Sequence, residues 1–540
     1  MKRLLLLILS VFLLAQSAWG AVSYYMRADG TAANKAAATA CGAADTAMSI
    51  STHNSETFYA GDTIFVCSDG GDYRAKLLPP SSGNAVNPIT YTSATGQSPL
   101  FNGSQVIANA SFTLVSGKVN TYQADYTMGA NLVAMVWEND TRLTSQGSID
   151  LVEANPASFY YDSTGHIIYV HATSSSNVIT NGRNYEVPQN YDIVQDNGKD
   201  YLIFDGLEVE KCYGSDATYG GFLLTGSHNI LRNSSSHNNR RHCLQFGIGA
   251  DNNTAYNMNL YDSVVSYAVS FFGAGCDSNL LQNSTVHDST GGLIILHGAT
   301  DGTIISTNNT VTGCDLYNAT GKEGIEVYAA TNTTISKNYI YGTYAARAIY
   351  VSDNDTNGIN IYYNIIDISG VPTNTDAILV TNLDGVNIYN NVIYGDNNRP
   401  AIRALSAASN IKIKNNILYG VDEAFRIPVD CQTGIEIDYN NVTTNTQYGR
   451  WSETAYATLV LWSAASSQDT HSLSIAPRFR STSDFRLLPS SPCINKGVSV
   501  GLTTDFIGHS LRGTPDIGAY EYWGTKGGGG FSNLNFNLGW

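Results

Sequence analysis

Charge is scarce in this sequence. Only 14% of its 540 residues are Asp, Glu, Lys or Arg, against roughly 25% in an ordinary soluble domain, so something else must keep the surface polar. The charge is also one-sided: 29 Lys and Arg stand against 45 Asp and Glu, a net of −16. Binding to phosphate needs clustered cations, so nucleic acid and anionic lipid are disfavoured as partners. After the first 20 residues no segment approaches the ~20 apolar residues a membrane-spanning helix needs. No CxxC or Cys/His spacing suggests zinc. His237, His242, His287 and His297 recur without the Ser and Asp of a nucleophilic triad. What is present is a hydrophobic content of 43%, enough for a large core, which excludes disorder and small disulfide scaffolds. Asparagine is about as abundant as the 50 glycines, with Ser and Thr plentiful, so the exterior reads as neutral, polar and rich in turns.

Lys2 and Arg3 precede an apolar run from Leu4 to Leu14, and Ala18-Trp19-Gly20 supplies small residues for a cleavage site. Residues 1–20 therefore read as a secretory signal peptide. Its removal takes the net charge from −16 to −18. The location is secreted or cell-surface, where the eight cysteines can form disulfides. The preferred pairs are Cys41 with Cys67 and Cys431 with Cys493, although connectivity does not follow from sequence.

From about residue 221 one phrase recurs, a small residue followed by alternating apolar positions. It begins with Gly221-Phe222-Leu223-Leu224, runs through Gly292-Leu293-Ile294-Ile295, Gly324-Ile325-Glu326-Val327 and Ala348-Ile349-Tyr350-Val351, and ends with Ala424-Phe425-Arg426-Ile427. Nine copies at intervals of 22 to 32 residues mark a solenoid. A second phrase, an alternating strand ending in asparagine, lies between them: Asn338, Asn364, Asn391, Asn416 and Asn440 close its copies. Asn suits tight left-handed corners, and stacked asparagines can bond coil to coil. Each interval holds two or three short strands and leaves no room for a helix, so the coils wind as a parallel β-helix.

At this point the text resembles the right-handed parallel β-helix proteins of the pectate-lyase-like superfamily. Gly61-Asp62-Thr63-Ile64, Gly71-Asp72-Tyr73-Arg74 and Asn87-Pro88-Ile89-Thr90-Tyr91 resemble its opening cap and first coils. Asp484-Phe485-Arg486-Leu487, Ser491 to Gly497 and Asp516 to Glu521 resemble the closing segment of secreted bacterial members. The expected class is all-β, a right-handed parallel β-helix with a β-rich insertion near its N-terminal end. Residues 21–115 form the cap and first coils, 116–190 the insertion, 191–445 the main coils and 446–523 the closing segment. Trp137 and the tyrosines of the insertion suit core packing better than stacking on sugars. Residues 524–540 are a glycine linker and an amphipathic strand, Phe531 to Trp540, fit to pair with a sheet edge of its own solenoid, a neighbour or an export partner.

Alternation aims the third residue of the first phrase outward, in a column through Gln245, Ser270, Ile294, Glu326, Tyr350, Leu379, Arg403 and Arg426. Beside it the corner residues Arg241-His242, Lys322-Glu323, Arg347, Asp376, Arg399 and Glu423 gather charge that the chain otherwise lacks. One reading is a groove for an extended acidic polysaccharide, with Arg241, His242, Asp376, Arg399, Arg403 and Arg426 as substrate contacts and Tyr350 stacking on a ring. The other is an exposed ion-pair ladder of Glu323, Arg347 and Asp376, worth about 0–1 kcal/mol per pair.

The resemblance implies β-elimination of a uronic acid polymer, with Lys322 or Arg347 as base and Glu323 and Glu326 beside it. Glu326, however, stands where some lyase families carry lysine. Asn374-Thr375-Asp376 resembles a polygalacturonase motif, but the paired Asp and the Gly-His-Gly of that family are missing. Asp353-Asn354-Asp355-Thr356-Asn357-Gly358 matches the first half of an EF-hand loop. Asp353, Asp355 and Asn357 are thus candidate calcium ligands, although Asn364 replaces the bidentate Glu. The expected function is a carbohydrate-active or carbohydrate-binding β-helix, most of all lyase-like. The alternatives are a non-catalytic surface, matrix or adhesin protein, and a glycoside hydrolase or uronan epimerase.

Overall fold

Short alternating strands joined by tight corners bury their apolar side chains only when one coil covers the next, and the chain does this along its length. The computed structural model describes residues 21–524, apart from 128–132, 134, 190–191, 215–219, 300–304, 345, 354, 372–375 and 396–399. The leader (1–20), Asn354, Asn374-Thr375, Arg399 and the tail strand (531–540) lie outside the described residues.

The fold is an all-β parallel solenoid of about 14 turns. A 15-stranded sheet runs from Ser23–Met26 to Glu436–Asp438, and a 21-stranded sheet carries the other strands of each coil. Like stacks on like: Ile335, Ile361, Ile388, Ile413 and Ile437 are successive register partners, all buried in one continuous core.

Asparagine is structural here. Asn338, Asn364, Asn391 and Asn416 each donate from Nδ2 to the Oδ1 of the asparagine on the next coil at 3.0–3.1 Å. The same Nδ2 groups donate to backbone carbonyls, as Asn391 does to Ile361 O at 2.9 Å. A second ladder, Asn253–Asn279–Asn309, lies on other corners. The left-handed step falls on the preceding residue instead, Lys337, Tyr363, Asn390, Asn415 or Tyr439. The ladder position thus needs an amide for its bonds and not for its backbone.

Ile89–Ser93 pairs directly with Leu202–Asp205, and Leu100–Asn102 with Glu208–Glu210. Between these adjacent coils, residues 104–188 build a four-stranded and a five-stranded sheet around Phe112, Phe159 and Tyr185. Trp137 is wholly buried, so it packs and has no face for a sugar. Lys211, 3% exposed, ties this region to the coils through Glu186 (2.7 Å) and Glu210 (3.1 Å).

At the far end the helix Leu459–Ser466 is N-capped by Thr458. Trp462 stacks on Phe425 and donates to Asp469 Oδ2 at 2.9 Å, covering the last coil. The following segment returns along the flank, where Phe485, Leu487 and Ile517 pack on Tyr363, Val392 and Ile417.

Cys41 and Cys67 are bridged, as expected. Cys431 and Cys493 are not, which corrects the expected pair: both are buried thiols. Cys431 lies in the solenoid core and Cys493 in the flank cluster, where it meets Asn441 Nδ2 at 3.0 Å. Among the described residues no helix is long and apolar enough to cross a membrane.

Candidate functional site

The outward column begins one residue later than expected at one coil. Ile294 pairs with Val269 and Ile325 and points into the core, so Ile295 is the column member, between Ser270 and Glu326. Gly292-Leu293-Ile294-Ile295 has no polar residue to mark its outer face, and a slip of one residue exchanges the two faces. Beyond Glu326 come Tyr350, Leu379, Arg403, Arg426 and then Arg450, one coil further than the repeat reading reached.

The acidic half of the column centres on a residue the sequence reading did not single out. Tyr267 stands at the corner position two coils before Glu323. On the coil between them is Gly292, where a Cβ would lie 2.1 Å from Tyr267 Cε1, so only glycine lets the ring pass. The Tyr267 hydroxyl reaches Glu323 Oε2 at 2.8 Å and also Glu326 Oε2. Arg347 Nη1 donates to Glu323 Oε1 at 3.0 Å, and its guanidinium lies 4.7 Å over the Tyr350 ring. One face of Tyr350 is therefore taken. Lys322, exposed, holds its Nζ 4.9 Å above the Tyr267 ring. Burial, then the neighbouring Glu326 and Glu323 charges, pushes the Tyr267 phenol far above its ordinary range. Burial also raises the Glu326 carboxyl, and the Glu323 charge adds to this against the phenol hydrogen bond.

The basic half lies three to five coils on. Arg403, Arg426 and Arg450 are register neighbours on consecutive coils, with side chains 30%, 25% and 37% exposed. Glu423, 1% exposed, anchors two of them, Arg426 at 2.7 Å and Arg450 at 3.3 Å. Arg403 touches Asp376 at 3.8 Å, and its Nε is buried without a hydrogen-bond partner among the described residues. Burial raises the Asp376 carboxyl, while Arg403 and Arg347 oppose the rise.

The expected ladder of Glu323, Arg347 and Asp376 is thus two separate pairs, Glu323–Arg347 and Asp376–Arg403. Arg241 and His242 stand three coils before Glu323, ~14 Å away by coil stacking, outside this cluster. His242, 3% exposed, holds the Tyr267 carbonyl with Nδ1 at 2.7 Å. The neighbouring His297 is wedged between Phe272 and Tyr328; burial, then His242, lowers its pKa to about 3. Asp353, at φ 93°, makes a turn in which its Oδ1 accepts from Asp355 N at 3.4 Å. Asn357 continues into the strand Asn357–Tyr362. Among the described residues no three His, Cys, Asp or Glu side chains gather as a metal site would require.

Chemically, the column joins a proton-handling end, where a phenol and two carboxyls meet, to an end with guanidinium groups open to an anion. No family model matches the chain, and no curated protein matches its sequence. Solved structures do resemble it. One described as the complex structure of XylC with xylose superposes with a TM-score of 0.57 at 13% identity, over 93% of this chain and 98% of that one. The pectate lyase Pel9A gives 0.41 at 14% identity, over 94% and 98%. PfbA, a surface adhesin of Streptococcus pneumoniae, gives 0.44 at 11% identity, over 73% and 84%. At such identities the likeness is one of fold, and the chain is a parallel β-helix whose structural neighbours include carbohydrate-active proteins.

Proposed function

We propose that this chain is an exported protein that holds an acidic polysaccharide along the groove from Lys322 to Arg450 and cleaves it by β-elimination. The observation that carries the reading is the arginine row. In a chain poor in cations, Arg403, Arg426 and Arg450 stand part-exposed on three consecutive coils. Coils repeat at ~4.8 Å, close to the advance of one sugar along an extended polymer. Each guanidinium fork can therefore meet a successive uronate carboxylate with paired charge-assisted hydrogen bonds.

At the cleaved sugar, Arg347, 33% exposed on the coil after Lys322, is the proposed partner that neutralises the carboxylate and makes the C5 proton removable, while the arginine row three to five coils on grips neighbouring sugars. Lys322, solvent-exposed at the rim, is the proposed acceptor. Arg347, the other expected base, also fixes the Glu323 carboxylate. The C5–H electron pair then forms the C4=C5 double bond as the C4–O bond breaks.

The test is incubation with polygalacturonate and alginate, followed by the ultraviolet absorbance of the unsaturated product. New reducing ends without that absorbance point to hydrolysis, the second reading, which the close approach of Glu323 and Glu326 to one hydroxyl favours. Binding with no cleavage across a broad panel supports a non-catalytic surface or adhesin role and overturns the lyase.

A further inference from the structure

We infer that Tyr267, Glu323 and Glu326 share one proton more than the phenol alone supplies, that this proton resides on Glu326 at neutral pH, and that Glu326 gives it to the glycosidic oxygen as the bond breaks. The last step rests on the reading that the groove cleaves a polysaccharide by elimination. The proton inventory stands by itself.

The inventory follows from counting. The Tyr267 oxygen is in hydrogen-bond contact with an oxygen of each carboxyl. A phenol carries one proton, and an ionised carboxylate only accepts. Two full oxygen–oxygen hydrogen bonds need two protons, whereas one phenol proton split between two carboxylates leaves both bonds weak, so the contacts are best satisfied with one carboxyl protonated. An unprotonated contact would press two electron-rich oxygens together in a part-buried site.

Glu323 is the ionised partner, because Arg347 Nη1 donates to its other oxygen at 3.0 Å. Several elements packed around Glu326 contribute groups that bear on its titration, while the preceding strand sets the apolar Ile295 against it. Tyr267 and Glu323 touch it or its partner hydroxyl, and Lys322 and Arg347 act on it from further off. Tyr328 lies two residues along the same strand, and Tyr350 is its register neighbour on the next coil. Burial and the Glu323 charge raise the Glu326 carboxyl, in the sense the inventory requires. Two carboxyls pushed apart by their surroundings make a proton donor and a fixed anion.

The step balances. When the C4–O bond breaks, its electron pair goes to the oxygen, which takes the Glu326 proton. Glu326 becomes a carboxylate beside ionised Glu323. That like-charge pair is relieved when Glu326 recovers a proton from the Lys322 ammonium through solvent.

The test is carboxyl-carbon NMR on the full chain labelled in its glutamates, with Glu326→Gln to assign the resonance. We expect one glutamate carboxyl to remain protonated at pH 7 and to be missing in Glu326→Gln. In Glu323→Gln the same resonance titrates at lower pH, because the like charge is gone and the phenol proton is free to stabilise ionised Glu326. With a cleaved substrate, Glu326→Gln loses about 10²- to 10⁴-fold in kcat. The alkaline limb of the wild-type pH profile moves to lower pH in Glu323→Gln. A Glu326 that titrates in the ordinary carboxylate range overturns the inventory whether or not the protein is an enzyme. A protonated Glu326 in a protein that cleaves nothing upholds the inventory and overturns the delivery step.

Discussion

Replacing Arg403 by Ala weakens binding of a uronate oligosaccharide by about 10- to 100-fold, the measure of a charge-assisted contact worth about 1.5–3 kcal/mol. Calorimetric titration reads it. Among the described residues Arg403 meets one protein carboxylate, the buried Asp376 at 3.8 Å. Burial raises the Asp376 carboxyl and the loss of the guanidinium raises it further, so the folding stability of Arg403→Ala is measured beside its affinity. Arg403→Lys keeps the charge but loses the planar fork, so it recovers part of the affinity. Arg450→Ala adds to the loss while Glu423 stays held by Arg426, and the double variant binds on the order of 10³-fold more weakly. Arg426→Ala is a poorer probe, because it strips the nearer of two partners from a carboxylate that is 1% exposed. If Arg403→Ala and the double variant bind as tightly as the parent, the arginine row is not the ligand site.

The largest stability effect belongs to the asparagine ladder. Asn391→Ala removes a side chain that donates to Ile361 O and Asn416 Oδ1 and accepts from the backbone N and the Nδ2 of Asn364. Each polar group left buried and unpaired costs about 1–3 kcal/mol, so the variant loses about 4 kcal/mol or more and its unfolding midpoint drops sharply in a denaturant titration. Asn387→Ala is the control: its amide bonds Asn360 Oδ1 on the partly exposed outer face, where water replaces the lost partner, and the loss stays below about 1 kcal/mol. Equal losses at the two positions would show that the ladder contributes nothing beyond ordinary surface hydrogen bonds.

These two sites differ in how far the sequence announced them. The ladder was legible because every coil repeats it: an alternating strand ends in Asn five times at nearly constant spacing, and only stacking explains such a period. The first coils were less legible because Ile89–Ser93 and Leu202–Asp205 are neighbours in space with about 110 residues between them in the chain. The column of the candidate site was read correctly where polar residues mark its outer face, at Glu326, Tyr350, Arg403 and Arg426. It slipped at Ile294, where an all-apolar run hides the alternation. Tyr267 went unnoticed because its contacts skip a coil, and no repeat alignment sets a residue against one two turns away. The available signal was Gly291-Gly292, a gap in the corner column into which a long side chain from the preceding coil can lie. Arg450 belongs to Tyr448-Gly449-Arg450-Trp451, which stacks in register on Ala424-Phe425-Arg426-Ile427 but exchanges the small and large positions of the phrase, so the repeat hides it. The false Cys431–Cys493 pair came from expecting a bridge to tie the terminal region to neighbouring structure, and position along the chain says nothing about which layer of the solenoid holds a thiol.

The most direct test of the groove is a crystal structure of Glu326→Gln, slowed in turnover, with a short uronate oligosaccharide bound. The account predicts a chain lying along the coils, with carboxylates on the Arg403 and Arg450 guanidinium groups and a glycosidic oxygen within hydrogen-bond reach, ~3 Å, of residue 326. An oligosaccharide seated on another face of the solenoid, with this column empty, would contradict it.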